Sequence, residues 1–228
     1  QVDADVKVNT NTETYVAWQW KANGGSTSSD TNGSITSTVQ VNTTAGFSIG
    51  TYTGTADTDT VGHGLGATVD CVIVKHRDGT SVWEVYHSSL TENNNLELSN
   101  NAAANTIADY WGTAVPNATV FGLPTGGYYN NIDGGSYIFY AFTSIQGYSK
   151  FGLFIGNGSA NGPFIYTGFK PAFFMLKENE AQGGWTMWDN KMNPINNGVG
   201  ITLSANSSNA EDTSTDSAID FLSNGIKM

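Results

Sequence analysis

One cysteine and one arginine, Cys71 and Arg77, stand in a chain of 228 residues. A lone cysteine excludes an intramolecular disulfide, so stability has to come from burial, and without a Cys cluster a zinc site has weak support. Cys71 itself, in Val69-Asp70-Cys71-Val72-Ile73-Val74, reads as a small apolar side chain facing inward from a strand. Lys and Arg number 9 against 20 Asp and Glu, a formal net charge of −11, which repels nucleic acid and anionic membrane surfaces. Charged residues make up only 13% of the chain. The surface must therefore be built from Thr, Ser, Asn and Gly, which are poor helix formers and favour turns and strand edges. No apolar run approaches the ~20 residues of a membrane span. The chain also opens without the basic and apolar regions of a signal peptide, so any export signal is expected to lie outside it or not to exist.

What is present is a near-repetition. Gly46-Phe47-Ser48, His63-Gly64-Leu65, Val72-Ile73-Val74-Lys75, Trp83 and Tyr86 return as Gly147-Tyr148-Ser149, Thr167-Gly168-Phe169, Phe174-Met175-Leu176-Lys177, Trp185 and Trp188. The offset is 185 − 83 = 102 for the tryptophans and 177 − 75 = 102 for the lysines. Apolar, aromatic and glycine positions recur, whereas polar ones mostly do not. The pattern predicts an all-β chain of two tandem antiparallel β-sandwich units, jelly-roll or lectin-like. Residues 1–142 would form the first, with an N-terminal aromatic strand and linker, and residues 143–228 the second.

Alternation places the expected strands. Ile35, Ser37, Val39 and Val41 share one face of Ser34 to Val41, and Val16, Trp18 and Trp20 share one face of Tyr15 to Trp20. Further strands are expected at Phe47 to Thr53, Val69 to His76, Ser81 to Ser88, Leu96 to Ser99, Thr119 to Leu123 and Tyr137 to Phe142. Asp78-Gly79 between two apolar runs predicts a hairpin over Val72 to Tyr86. The Ala-rich stretch Asn101 to Asp109 reads as loop. In the second half, strands are expected at Phe151 to Ile155, Ala172 to Lys177, Trp185 to Asp189, Gly200 to Ser204 and Ile219 to Leu222, with no closing strand after them. The second unit thus looks one strand short. Tyr15 to Trp20, which shares the rhythm of Tyr137 to Phe142, is the natural candidate to complete it, within the chain or between chains.

The ordered motifs Tyr15-Val16-Ala17-Trp18-Gln19-Trp20, Thr44-Ala45-Gly46-Phe47-Ser48, Val61-Gly62-His63-Gly64-Leu65-Gly66, Gly156-Asn157-Gly158-Ser159, Tyr166-Thr167-Gly168-Phe169-Lys170-Pro171 and Asp220-Phe221-Leu222-Ser223-Asn224-Gly225 resemble a β-rich repeat domain of tail-fibre-like proteins from marine tailed phages. The resemblance covers nearly the whole chain. It implies β-sandwich modules strung along a virion appendage, with a structural or receptor-contacting role and no catalytic motif to carry over.

The chemistry-bearing residues offer little more. His63 reads as a turn histidine between glycines, and His76 and His87 flank the hairpin, from where they could meet across it. Asp57-Thr58-Asp59 and Asp3-Ala4-Asp5 have a spacing compatible with calcium and equally with a solvated acidic loop, so no cofactor is expected apart from that ion. Five Asn-x-Ser/Thr triplets, at Asn32, Asn42, Asn117, Asn157 and Asn206, arise by chance in so Asn-rich a chain. A glycoside hydrolase needs two carboxylates facing one cleft, and Glu84 with Glu97 or Asp109 is the best pair on offer. Trp83 and Trp185 recur at matched positions and read as core. Tyr110 and Trp111, beside each other in a loop without a matched partner, are the candidate ligand-binding residues. No Gly-x-Ser-x-Gly elbow and no phosphate loop occur.

The expectation is a non-enzymatic structural or adhesive module, virion-borne or extracellular, presenting to a host surface. Its partners would be other copies, other virion proteins or a host-surface glycan. The alternative is a polysaccharide-binding lectin or depolymerase of sandwich fold.

Overall fold

The computed structural model describes residues 8–112, 116–192, 198, 200–214 and 217–228. It contains strands and no helix among the described residues. In chain order the strands are β1 (Ser28–Asp30), β2 (Ser37–Asn42), β3 (Phe47–Thr53), β4 (Asp59–Gly62), β5 (Cys71–His76), β6 (Trp83–His87), β7 (Asn94–Glu97), β8 (Asn105–Thr106), β9 (Val120–Leu123), β10 (Ser136–Phe142), β11 (Phe164–Tyr166), β12 (Phe173–Lys177), β13 (Trp185–Asp189), β14 (Leu203–Ser204), β15 (Asp220–Leu222) and β16 (Gly225–Lys227).

An eight-stranded antiparallel sheet, ordered β1-β2-β3-β10-β5-β6-β7-β8, dominates. β10 sits at its centre because alternate residues serve both faces: Tyr137, Phe139 and Ala141 are fully buried, while Ile138, Tyr140 and Phe142 are half-buried on the other side. The inner face, with Val39, Tyr52, Val72, Val74, Tyr86 and Phe139, packs on the two-stranded ribbon β4-β9 through Val61, Phe121 and Leu123. The outer face, with Cys71, Val85 and Leu96, meets Trp185 and Met175 from the three-stranded sheet β12-β13-β14. That sheet turns Phe174, Leu176 and Trp188 toward Ile219, Phe221 and Ile226 of a last sheet, β11-β16-β15. The class is thus all-β with sandwiched antiparallel layers, as composition implies.

The hairpin β5-β6 forms as expected, with Val72 opposite Tyr86. Lys75 Nζ donates to the carbonyls of His76 and Gly79, at 2.6 and 2.9 Å, and so ties the turn that follows β5. The β12-β13 hairpin keeps the same register: Lys177 stands opposite Trp185 as Lys75 stands opposite Trp83, and Phe173 opposite Asp189 as Cys71 opposite His87. One further contact matches, since the His63 N–H donates to Thr119 O at 3.2 Å and the Thr167 N–H to Asn224 O at 3.0 Å. Beyond these the two halves differ: the large sheet belongs to residues 28–142, and among its described residues the second half holds two short three-stranded sheets.

Three strand expectations are corrected. Residues 15–20 join no sheet within the chain. Trp18 and Trp20 instead pack their rings on Phe173, each at 5.9 Å, and Trp20 also meets Phe142 at 6.3 Å, so the segment is held by side chains where a closing strand would be held by its backbone. Tyr15 and Val16 stay half exposed. Residues 151–155 are not a strand either: Leu153 and Ile155 are 61% and 83% exposed. Their matched strand β3 is fixed by β2 on one side and β10 on the other, and the second half supplies no such flanking pair. Finally, the chain does form a last strand. β16 returns on β15 after the two-residue turn Ser223-Asn224, with Leu222 opposite Gly225, and also pairs with β11. The Asn101 to Asp109 loop is a loop, apart from the two-residue β8.

Candidate functional site

β6 and β7 place two acids side by side. Their register puts Glu84 directly opposite Glu97 and Val85 opposite Leu96. Since Val85 and Leu96 face outward, the two glutamates share the inner face, with Asn95 diagonal to Glu84. Asn95 Nδ2 donates to Glu84 Oε2, and Asn100 Nδ2 donates to Glu97 Oε2.

Glu84, Asn95 and Glu97 floor a cleft of about 380 Å³ whose walls include Tyr110, Tyr128 and Tyr129. Tyr128 and Tyr129 are 41% and 54% exposed at its mouth. The loop that carries them turns through Gly126 and Gly127, both at positive φ, and is pinned by the buried Asn131. That side chain donates to Asp57 O at 2.7 Å and to Pro124 O at 2.8 Å, and accepts from the Thr55 N–H at 2.9 Å. The tyrosines therefore stand on a fixed platform. Tyr128 also leans on Tyr110, with ring centres 5.5 Å apart.

Glu84 is 1% exposed. Burial pushes its carboxyl up to about 7; hydrogen bonding from Tyr110 and Asn95 opposes the rise and the charge of Glu97 adds to it. The Tyr110 hydroxyl is raised far beyond its ordinary range, by burial first and then by Glu84. Two buried acceptor oxygens of this floor, Glu84 Oε1 and Asn95 Oδ1, have no partner in hydrogen-bonding geometry among the described residues. Asn130, which does not line the cleft, holds the tyrosine loop in place: its Nδ2 donates to the Tyr110 carbonyl at 3.4 Å and its main-chain carbonyl accepts from the Tyr52 hydroxyl at 2.6 Å.

Of the two ligand-binding residues expected from the sequence, the structure brings only Tyr110 to the cleft, and it is 2% exposed. Trp111 is a correction. It is fully buried against Tyr86 and Tyr110, and its indole N–H is consumed by Asn94 O at 3.1 Å, so neither ring face is open to a ligand. Glu84 and Glu97 do share a cleft, and Asp109 does not line it. Tyr128, Tyr129 and Asn95 escaped the sequence reading. The one signal for the two tyrosines was the glycine pair opening Gly126-Gly127-Tyr128-Tyr129-Asn130-Asn131.

The other candidates are structural. His63 is fully buried, its Nδ1 accepting from the Leu65 N–H at 3.2 Å, which leaves Nε2 to donate to Asn117 O at 3.1 Å. Burial lowers its pKa, in keeping with the neutral ring. His76 and His87 do not meet: His76 ends β5 while His87 stands opposite Cys71 at the other end, roughly 17 Å along the strand. Asp59 is occupied on both oxygens, by Ser34 Oγ at 2.6 Å and Thr55 Oγ1 at 2.5 Å. Asp3 and Asp5 lie outside the described residues. Cys71 is free and buried, with burial pushing its thiol up to about 12. Trp185 is core, as its recurrence implied, while Trp83 is half-buried against Tyr140.

No curated protein and no solved structure matches this chain. A family model, described as a domain of unknown function (DUF7483), matches residues 1–228, its whole length, and the chain therefore belongs to the DUF7483 family.

Proposed function

We propose that this chain is an adhesive module of an extracellular or virion-borne assembly, and that it contacts a surface polysaccharide through the cleft between β6, β7 and the 126–131 loop. The observation that carries the reading is the pairing of two exposed tyrosines, Tyr128 and Tyr129, with a floor of amide and carboxylate groups in one cleft of about 380 Å³. Saccharides have apolar faces that stack on aromatic rings and hydroxyls that donate to planar oxygens, so the two kinds of surface meet both needs. The net charge of −11 supports a neutral or cationic glycan over nucleic acid or an anionic membrane. The resemblance to tail-fibre-like repeat domains supports the virion setting, with other copies or other virion proteins as assembly partners.

A second reading, a depolymerase, draws on the Glu84 and Glu97 pair, one carboxyl pushed up to about 7 and the other beside it. A glycan array run with a reducing-sugar release assay on the purified chain separates the two. Binding that Tyr129→Ala weakens at least tenfold, with no sugar ends released, is the expected outcome. Release of sugar ends that disappears in both Glu84→Gln and Glu97→Gln establishes the depolymerase instead, and absence of any glycan signal removes both.

A further inference from the structure

The floor of the cleft holds more acceptor oxygen than its surroundings can satisfy. Glu84 and Glu97 are directly opposed across β6 and β7, an arrangement in which like charges destabilise the pair. Among the described residues no lysine or arginine pairs with them: the ion pair found there is His76 with Asp78, at 3.9 Å. Glu84 Oε1 and Asn95 Oδ1, on adjoining side chains of residues each 1% exposed, are sealed from solvent with no donor in hydrogen-bonding geometry, although the Tyr110 hydroxyl stands beside Glu84. An unsatisfied buried acceptor costs about 1–3 kcal/mol, and two on adjoining side chains call for a common partner. A proton on Glu84 answers one of them. A small multivalent cation answers both and neutralises the carboxylates as well.

We propose that Glu84, Asn95 and Glu97 form a hard-cation site of the kind calcium fills. The donors are all oxygen, from two carboxylates and a side-chain amide, which is the ligand chemistry of Ca²⁺, and they contain no sulfur or imidazole that would select zinc or copper. The set rests on two acids plus an amide, consistent with there being no group of three or more His, Cys, Asp or Glu placed to hold a metal among the described residues. Half a turn of the Asn95 amide exchanges Nδ2 for Oδ1 toward Glu84, bringing that oxygen into the set. The site is distinct from the Asp57-Thr58-Asp59 loop, where Asp59 already accepts from Ser34 and Thr55.

The test uses the purified chain, stripped with chelator and then titrated with CaCl₂, while melting temperature is followed. A parallel titration with Tb³⁺ reads luminescence excited through Tyr110 and Trp111. A saturable Tb³⁺ signal that Ca²⁺ displaces is expected, with a calcium-dependent rise of about 3 °C or more. Glu97→Gln, on a partly exposed side chain, should weaken Ca²⁺ at least tenfold, and Glu84→Gln, isosteric and folded by circular dichroism, should abolish the response. Asp57→Asn should leave it unchanged. A chain that shows no saturable response, a response intact in both glutamine variants, or one lost in Asp57→Asn overturns the site. Because the readouts involve no glycan, they stand or fall apart from the adhesive function.

Discussion

The indole N–H of Trp18 donates to Asp189 Oδ2 at 3.1 Å across 171 residues of chain. The same carboxylate accepts through Oδ1 from the N–H groups of Lys191, at 2.7 Å, and Met192, at 3.0 Å, so one buried acid ties an N-terminal coil to the end of β13. Trp18→Phe keeps a ring on Phe173 and removes only the donor. A loss of about 1.5–3 kcal/mol is expected, the range for hydrogen bonds to charged groups. Melting of Trp18→Phe, Asp189→Asn and the double variant checks it: a double-variant loss equal to the sum of the singles would show that the two groups are not coupled.

The two faces of the large sheet meet different layers, and Cys71 reports on one of them. Its thiol is buried on the outer face with Trp185, whose indole N–H donates to Glu97 O at 2.9 Å. With the thiol pushed up to about 12, a disulfide reagent should not react at pH 8 in the native protein and should react at once in denaturant. Trp185→Ala should cost about 3–5 kcal/mol and open Cys71 to the reagent. An unreactive Cys71 in a folded Trp185→Ala variant would show that other groups seal it.

His63 predicts an acid-side loss of stability. Its pKa in the fold is lowered by burial, against the raising influence of the Asn117 carbonyl and Asp30, while the unfolded chain titrates near 6.5. The unfolded state thus binds the extra proton first. The contribution is fully present above pH 6.5 and falls away as pH drops below it toward the folded value. His87 is lowered in the same direction, by burial. Denaturant titrations at pH 7.5 and pH 5.5 should show wild type losing more between the two than His63→Gln, and equal losses would exclude His63 as a contributor.

Two glycines should answer substitution in opposite ways. A Cβ on Gly122 in β9 would lie 2.1 Å from Trp111 O and 3.0 Å from Gly112 Cα, both backbone atoms that cannot step aside. Gly122→Ala should cost ~3 kcal/mol or more, or prevent folding, because the ribbon must move off the sheet. Gly66 has φ +68° and open space around it, so Gly66→Ala should cost only the strain of that backbone, ~1 kcal/mol. Melting curves of the two variants give the ranking, and an equal loss would contradict the close approach of β9 to Trp111.

The strands legible in the sequence are those whose pattern is local. β3 and β13 begin and end where alternation and flanking turns place them, and the β5-β6 hairpin follows from Asp78-Gly79. β4 and β11 were missed because each is a few residues long and earns its place only by pairing with a distant strand, β9 and β16. Tyr15 to Trp20 carries as strong an aromatic rhythm as β10 and yet forms no strand, since a strand needs backbone partners as well as a pattern. For the cleft, Glu84 and Glu97 could be named in advance as a pair, but no sequence rule sets Tyr128 and Tyr129 over them.

Composition and periodicity by themselves determined the class of this protein: few charges, one cysteine and alternating apolar positions leave little besides antiparallel sheets stabilised by burial. They determined its acidic character as well. Tertiary structure alone decided that Trp111 belongs to the core and Tyr129 to the surface, and that Glu84 sits sealed beside Glu97. It also decided that the N-terminal tryptophans dock on Phe173 and pair with no sheet edge. The physical reason is that alternation specifies which residues share a face, while what covers that face depends on contacts between segments 29 to 171 residues apart, which no local pattern encodes.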